Sequence, residues 1–459
     1  GPHPMTQAAL PTETAPDEIA GASSAFTPPG AMDIFHDSIF IFVVAFIVTV
    51  CATPVMRRIA LAAGIVDAPT EARKAHRVPV AYLGGVAVFL GVFAAVVASY
   101  LGGVLPDWLY VGHDPYLYLP LEVVQTDRST EVPLSIVLGM AVITLVGFLD
   151  DVTGLDPRLK IAGQLLAAAA MALEDVGVKV AEGIMAPVGE MVGNPGLTWA
   201  FDLPVLGPTE FDLIYWAGTA IIAVFVLGSC NAANLIDGLD GLLSGVTAIA
   251  AGGMLVIALL MASAGDGPLD NARIVMCLAV MGACMGFLCH NFNPATIFLG
   301  DCGSLLLGFM TIAIVLTMGD TGKTHFVVAG LVIWSIPIID TVLAIVRRKL
   351  AGVSMSTADA HHLHHMLKRA LGVKGAVLTL YGIGLAFGAV GVWMTFGRTR
   401  VVMTVAVVLI AFIGVTAVKI ARKQQLEQQA IEQTAKRALK PLDAKRAPSD
   451  DETPAEQRA

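Results

Sequence analysis

Apolar residues along this chain gather in runs of about 17–25, separated by short polar loops. That is the length a helix needs to cross a bilayer core of roughly 30 Å. The runs lie near 36–60, 80–101, 132–149, 159–174, 211–230, 240–263, 273–289, 303–318, 325–346, 375–396 and 400–420. They predict an all-α polytopic integral membrane protein with about eleven transmembrane helices. The fourth run is short and Ala-rich, and it counts as a span because the alternation of the loops between two sides depends on it.

Lys and Arg assign the sides. Of 28 such residues, 22 fall on the side of the segment that follows the first span and six on the other. By the positive-inside rule the first side is cytoplasmic, which puts the N-terminus outside and the C-terminus inside. Three regions follow. Residues 1–35 hold a protease-cleavage remnant, Gly1-Pro2-His3-Pro4, and an arm rich in Ala, Pro and Thr. The arm lacks the basic start of a cleavable signal and is expected to be disordered and non-cytoplasmic. Residues 36–420 form the membrane domain, and 421–459 a cytoplasmic tail that begins helical and ends disordered. The outside loops 102–131 and 175–210 carry no motif. No internal repeat is visible, which argues against an inverted-repeat transporter.

Composition agrees, with 56% hydrophobic and only 14% charged residues. A net charge of −9 leaves no basic field for nucleic acid. The six cysteines sit in or beside apolar runs without metal-finger spacing, and read as small membrane-helix residues rather than disulfides.

Unusual polar residues cluster at the ends of the spans. Asp150 and Asp151 close the third, in Phe-Leu-Asp-Asp-Val-Thr-Gly-Leu-Asp-Pro-Arg-Leu-Lys. Adjacent carboxylates repel unless a cation or proton intervenes, although a solvated helix end would look the same. After the fifth span comes Asn231-Ala-Ala-Asn234-Leu-Ile-Asp237-Gly-Leu-Asp240-Gly, whose period of three places amides and carboxylates on one face of a helical turn. Oxygen donors without thiolates suit a hard cation or a polar ligand; the bland alternative is an Asn/Asp/Gly turn. Asn291 opens a loop that leads to Phe-Leu-Gly-Asp301-Cys-Gly-Ser. There Asp301 is either a helix cap or a magnesium ligand beside a helix N-terminus able to hold phosphate. The segment His361-His-Leu-His-His365 offers four imidazoles for phosphate contact, with a zinc site as the competing reading. Basic residues of Asp67-Ala-Pro-Thr-Glu-Ala-Arg73-Lys74-Ala-His76-Arg77 are topological anchors or partners of a diphosphate. All five clusters fall on the cytoplasmic side.

With these residues in view, the chain resembles the polyprenyl-phosphate N-acetylhexosamine-1-phosphate transferase family over about residues 36–420. The resemblance rests on the aspartate pair before Gly-Leu-x-Pro-Arg-x-Lys, the Asn-x-x-Asn-x-x-Asp-Gly-x-Asp-Gly block, Phe-Leu-Gly-Asp-x-Gly-Ser and His-Leu-His-His. It implies transfer of a sugar 1-phosphate, N-acetylglucosamine 1-phosphate first among candidates, from a UDP-sugar to undecaprenyl phosphate. UMP is released and a lipid-linked envelope polysaccharide begins. It implies Mg2+ as cofactor, with Mn2+ as substitute, and a multi-pass protein of the bacterial inner membrane among membrane lipids, with a homodimer left open. By resemblance Asp150, Asp151 and Asp301 are catalytic, and Asp301 and Asn234 hold the metal. Lys74, Asn234, Asp237, Asp240, Asn291, His362, His364 and His365 contact substrate. The branch that makes the first lipid intermediate of peptidoglycan usually carries an insertion after the aspartate pair and a triple-His signature, and both are absent here. Two positions depart from the family pattern: Ala360 replaces a common Arg, and Ala81-Tyr82-Leu83 replaces Pro-Arg. A lipid flippase or transporter is the reading of a different class.

Overall fold

The computed structural model describes residues 30–67, 79–101, 132–203, 207–265, 267–352, 362–398 and scattered positions between 400 and 426. Most of the N-terminal arm, nearly all of the C-terminal tail, the loop 102–131 and Lys74 lie outside the described residues. The elements run α1 (Ala31–Ala63), β1 (Val66–Asp67), β2 (Val80–Ala81), α2 (Gly84–Tyr100), α3 (Leu134–Thr153), α4 (Pro157–Ala172) and α5 (Val178–Val192). Then come β3 (Thr198–Leu203), β4 (Gly207–Asp212), α6 (Leu213–Ile236), α7 (Leu242–Ala264), α8 (Asp270–Asn291), α9 (Gly300–Thr317), α10 (Thr324–Ile333), α11 (Ser335–Ala351) and α12 (Leu363–Thr395).

Helices occupy ten of the eleven ranges read from the sequence, and the eleventh lies mostly outside the described residues. Among the described residues seven helices are long and apolar enough to cross a membrane, or eight if α10 and α11, bent by 76° at Trp334, make one broken span. α2, with 17 residues, and α4, with 16, are shorter. The chain is a mostly helical, multi-pass membrane protein.

Four boundaries differ from expectation in ways that matter. The second span begins at Gly84 rather than 80, because Val80–Ala81 pairs with Val66–Asp67 and Ala81 bridges to Ile297. α6 runs on to Ile236, so Asn231 and Asn234 lie on the helix itself. α9 starts at Gly300, placing Asp301 in its first turn. The loop 175–210 is ordered as α5 and an antiparallel β3–β4 hairpin, so the fold carries a little sheet beside its helices.

α9 is the central post. From Cys302 to Thr317 every residue is buried, against α2, α3 and α6. Such approach needs small residues. A Cβ on Gly147 of α3 would stand 2.5 Å from the Cα of Cys302 and 2.6 Å from the Asp301 carbonyl oxygen. The two backbones therefore touch one turn before the aspartate pair, and that contact brings Asp150 and Asp151 to the start of α9.

Candidate active site

Three acids and a lysine meet where α3, α4 and α9 converge. Asp156 caps α4 by accepting from the Arg158 amide at 2.8 Å, and Pro157 fixes the first helical φ. Lys160 then projects from the first turn. Its Nζ lies 2.6 Å from Asp150 Oδ2 and 2.7 Å from Asp301 Oδ2. Asp150 Oδ1 accepts from the Leu155 amide at 2.8 Å, which tightens the turn between α3 and α4.

Asp151 points to the other side of the junction. Its Oδ1 accepts from the Asp301 amide at 2.8 Å and its Oδ2 from the Cys302 amide at 3.0 Å, the orphan donors of the α9 N-terminus. The geometry assigns Asp151 the cap of the helix that carries Asp301. Gly300 adopts φ +73°, and a Cβ there would stand 2.5 Å from an Asp151 carboxylate oxygen. Glycine is required at that position.

The face expected of the Asn-Asp block holds for Asn231 and Asn234, three residues apart on α6, and ends at Asp237. Asn231 is exposed and donates to Gln164 Oε1 at 2.8 Å. Asn234 donates to Asp301 Oδ1 at 2.8 Å and to Ser304 Oγ at 3.0 Å. Asp237 ends α6 with φ −75° and ψ 44°, so the helical repeat stops there. Burial, helped by the charges of Asp301, Asp151 and Asp240, pushes the Asp237 carboxyl up to about 8. Asp240 turns away, accepting from Asn293 Nδ2 at 2.8 Å and the Ala295 amide at 3.0 Å. Asn291 returns the clamp. Its Oδ1 accepts from the Gly241 amide at 3.0 Å and Ser244 Oγ at 3.2 Å, while Nδ2 donates to the Ile297 carbonyl at 3.0 Å. Asp240 and Asn291 thus hold two loops together, and their described contacts are structural.

The histidines join the same end. Asp340, buried in α11, sets Oδ2 3.0 Å from His364 Nδ1 and 3.2 Å from His362 Nδ1, and its Oδ1 accepts from the Leu363 amide at 2.8 Å. One carboxylate fixes the start of α12 and orients two imidazoles. His364 Nε2 lies 2.8 Å from where a Cβ on Gly238 would be, against the Asn-Asp block. His365 is beside it, ring centroids 4.3 Å apart. Asp340, His362 and His364 are the one group of three metal-capable side chains found among the described residues. Nδ1 on both rings facing one carboxylate is the pattern of N–H···O bonds that leaves each Nε2 free.

The sequence reading overlooked Lys160, Asp340 and Tyr82 as site residues. Lys160 closes the Gly-Leu-Asp-Pro-Arg-Leu-Lys motif, and its place one turn after a capped helix start was the available signal. Asp340 had none, since a lone acid in an apolar run does not name its partner. Tyr82 packs its ring 6.1 Å from Phe298. Burial, then the acids Asp67, Asp151, Asp237 and Asp301, push its phenol well above the usual range.

Two oxygens, Asp150 Oδ2 and Asp301 Oδ2, converge within 2.7 Å of one ammonium, with the Asn234 amide adjacent. The carboxylate oxygens are hard donors and fit a hard divalent cation; Asn234 turns Nδ2 to Asp301, so its Oδ1 would be the atom offered to such an ion.

Comparison with known proteins places the chain in a family. Residues 133–319 match the model of Glycosyl transferase family 4. A decaprenyl-phosphate N-acetylglucosaminephosphotransferase of Mycolicibacterium smegmatis is 31% identical over 428 residues, 88% of this chain and 95% of its own length. "Probable undecaprenyl-phosphate N-acetylglucosaminyl 1-phosphate transferase" of Bacillus subtilis (strain 168) is 30% identical over 378 residues, 82% of this chain and 90% of its own. A phospho-N-acetylmuramoyl-pentapeptide-transferase of Desulforudis audaxviator is 30% identical over 366 residues, 76% of this chain and 95% of its own. The aspartates of α3 and α9 lie inside the matched segment. This chain belongs to glycosyl transferase family 4, the family of polyprenyl-phosphate sugar-1-phosphate transferases.

Proposed function

We propose that the protein transfers N-acetylglucosamine 1-phosphate from its UDP-sugar to undecaprenyl phosphate. The site would face the cytoplasm of a bacterial inner membrane, and the product would start a lipid-linked envelope polysaccharide. The observation that carries this reading is the convergence of Asp150 and Asp301 on Lys160, from segments far apart in sequence. The loop count of Lys and Arg supports the cytoplasmic side.

In this reaction an oxygen of the lipid phosphate attacks the phosphorus that bears the sugar. The bond from that phosphorus to the bridging oxygen breaks, and UMP leaves with the bridging oxygen. Bringing two phosphates together costs electrostatic energy unless cationic groups gather first. Lys160 supplies one such charge. Asp150 would orient the attacking phosphate and accept any proton it carries. Asp301 and Asn234 would hold Mg2+, which when bound neutralises diphosphate oxygens. The Nε2 atoms of His362 and His364 would accept from sugar N–H and O–H groups, or donate to phosphate oxygens in the imidazolium form, with Asp340 fixing their direction.

Purified protein, undecaprenyl phosphate, Mg2+ and a panel of UDP-sugars, assayed for UMP, test the proposal. UMP with UDP-N-acetylglucosamine is the expected result. UMP only with UDP-N-acetylmuramoyl-pentapeptide would move the chain to the other branch of its relatives. No UMP with any donor would overturn the reading.

A further inference from the structure

The segment between α4 and α6 has no part in the site. α6 is 24 residues long, about 36 Å at 1.5 Å per residue, and ends at the site beside Asn234. Its start, and the hairpin before it, therefore lie at the opposite end of the bundle, a bilayer's thickness away.

This segment is two-sided throughout. In the hairpin Trp199 pairs with Phe211, so both rings share a face, and Phe201, two residues on, joins them. All three rings are 38–45% exposed. The opposite face carries Thr198, Asp202 and Glu210. In α5, Ile184, Val188, Met191 and Val192 follow one helical stripe and are exposed, while Lys179, Glu182 and Glu190 occupy the other arc. The first half of the same apolar stripe, Val180 and Ala181, is buried. The stripe thus passes from protein contact to open surface along one helix. Trp216, in the first turn of α6 and four residues after the hairpin ends, is exposed as well, on a membrane-spanning helix.

We propose that the exposed half of α5 and the aromatic face of the hairpin lie in the headgroup–acyl boundary of the leaflet opposite the site. The occupant of this surface is lipid, for three reasons. The hairpin runs directly into a spanning helix whose first turn exposes Trp216. Tryptophan and phenylalanine at that depth match the amphipathic belt that membrane proteins place at an interface. A two-stranded hairpin is marginal in water and gains stability from an apolar surface on one side. The acids on the opposite faces exclude attraction to anionic headgroups, so contact rests on apolar and aromatic burial and is insensitive to salt.

The full-length protein is reconstituted in vesicles of phosphatidylcholine with brominated acyl chains. The Trp199 contribution is the emission of the wild type minus that of Trp199→Phe. It is expected to be quenched several-fold more by the lipid bromines than by aqueous iodide, equally at low and high salt. A second reporter, Met191→Trp, adds emission on α5 with the same preference and does not depend on the hairpin variant folding. Quenching by iodide with indifference to bromine would place this face in water and overturn the proposal. Protection from both quenchers would show that protein, a second copy or the segment 102–131, covers it, and would overturn it equally.

Discussion

The bundle holds a buried cluster of charge at each end, and the two are built on different principles. At the end away from the site Arg273, fully buried, lies 3.0 Å from Asp320 through Nη1, bonds Asp270 through Nη2 and donates to the Thr317 carbonyl at 2.7 Å. A planar fork meets carboxylates and a helix-end carbonyl, joining the start of α8 to the end of α9. At the site end a single ammonium, Lys160, faces Asp150 and Asp301, with Asp151 and Asp237 close by. Two carboxylates face one cation in each cluster, but Lys160 and Asp301 keep roughly a quarter of their side-chain surface open, where Arg273 keeps none. One cluster is a fastener. The other is open on one side, so groups from outside can reach its carboxylates and its ammonium, as phosphate chemistry demands.

Substitutions should separate the two ends. The largest effect is expected for Asp301→Ala, which should lower UMP release by about 10³-fold or more, roughly 4 kcal/mol of barrier, while leaving thermal unfolding in detergent nearly unchanged. Unaltered turnover would assign the open cluster a structural role. Arg273→Met should do the reverse. Leaving Asp270 and Asp320 buried without their partner costs about 3–5 kcal/mol of stability, read as a fall in Tm, and the protein that remains folded should keep its turnover number. A turnover loss larger than the loss of folded protein would contradict the division of labour.

Asp340→Asn tests how the imidazoles are held. Loss of the charged acceptor for two Nδ1–H groups should cost about 1.5–3 kcal/mol in transition-state binding, a 10- to 100-fold fall in kcat/KM of the folded protein. A lower Tm with an unchanged kcat/KM of the folded protein would mean that Asp340 only secures α12. The smallest effect concerns Asp237. Between its ordinary value of 3.8 and about 8, the unfolded chain has released this proton while the folded protein keeps it. The unfolded state then binds fewer protons, so this group makes stability fall as pH rises through that window and level off above it. Asp237→Asn should flatten the decline in Tm of the substrate-free protein, and an unchanged slope would remove Asp237 as its source.

Much of this architecture was written in one dimension. A run of twenty apolar residues must become a helix in lipid, because nothing else satisfies its backbone there. The runs therefore located every described helix but α5, and the polar clusters at their ends marked the side where chemistry gathers. Boundaries were less legible where polar residues lie on the helix itself. α6 carries Asn231 and Asn234 past the point where the apolar run stops, since a helix continues through polar residues once the protein supplies partners such as Gln164 and Asp301. The hairpin was missed because its alternation spans only six residues per strand, within a loop rich in Gly and Pro.

The sequence by itself determined the membrane-spanning character, the family motifs and the place of Asp150, Asp151, Asn234 and Asp301 at the ends of apolar runs, because spacing and hydropathy are local properties. Tertiary structure decided which neighbour each of them meets. The approach of Gly147 to the Asp301 backbone makes Asp151 a helix cap and leaves Asp150 to face Lys160. The fold of α11 against α12 gives the histidines the carboxylate of Asp340. Such pairings depend on which helices pack together, and no local pattern of residues encodes that choice.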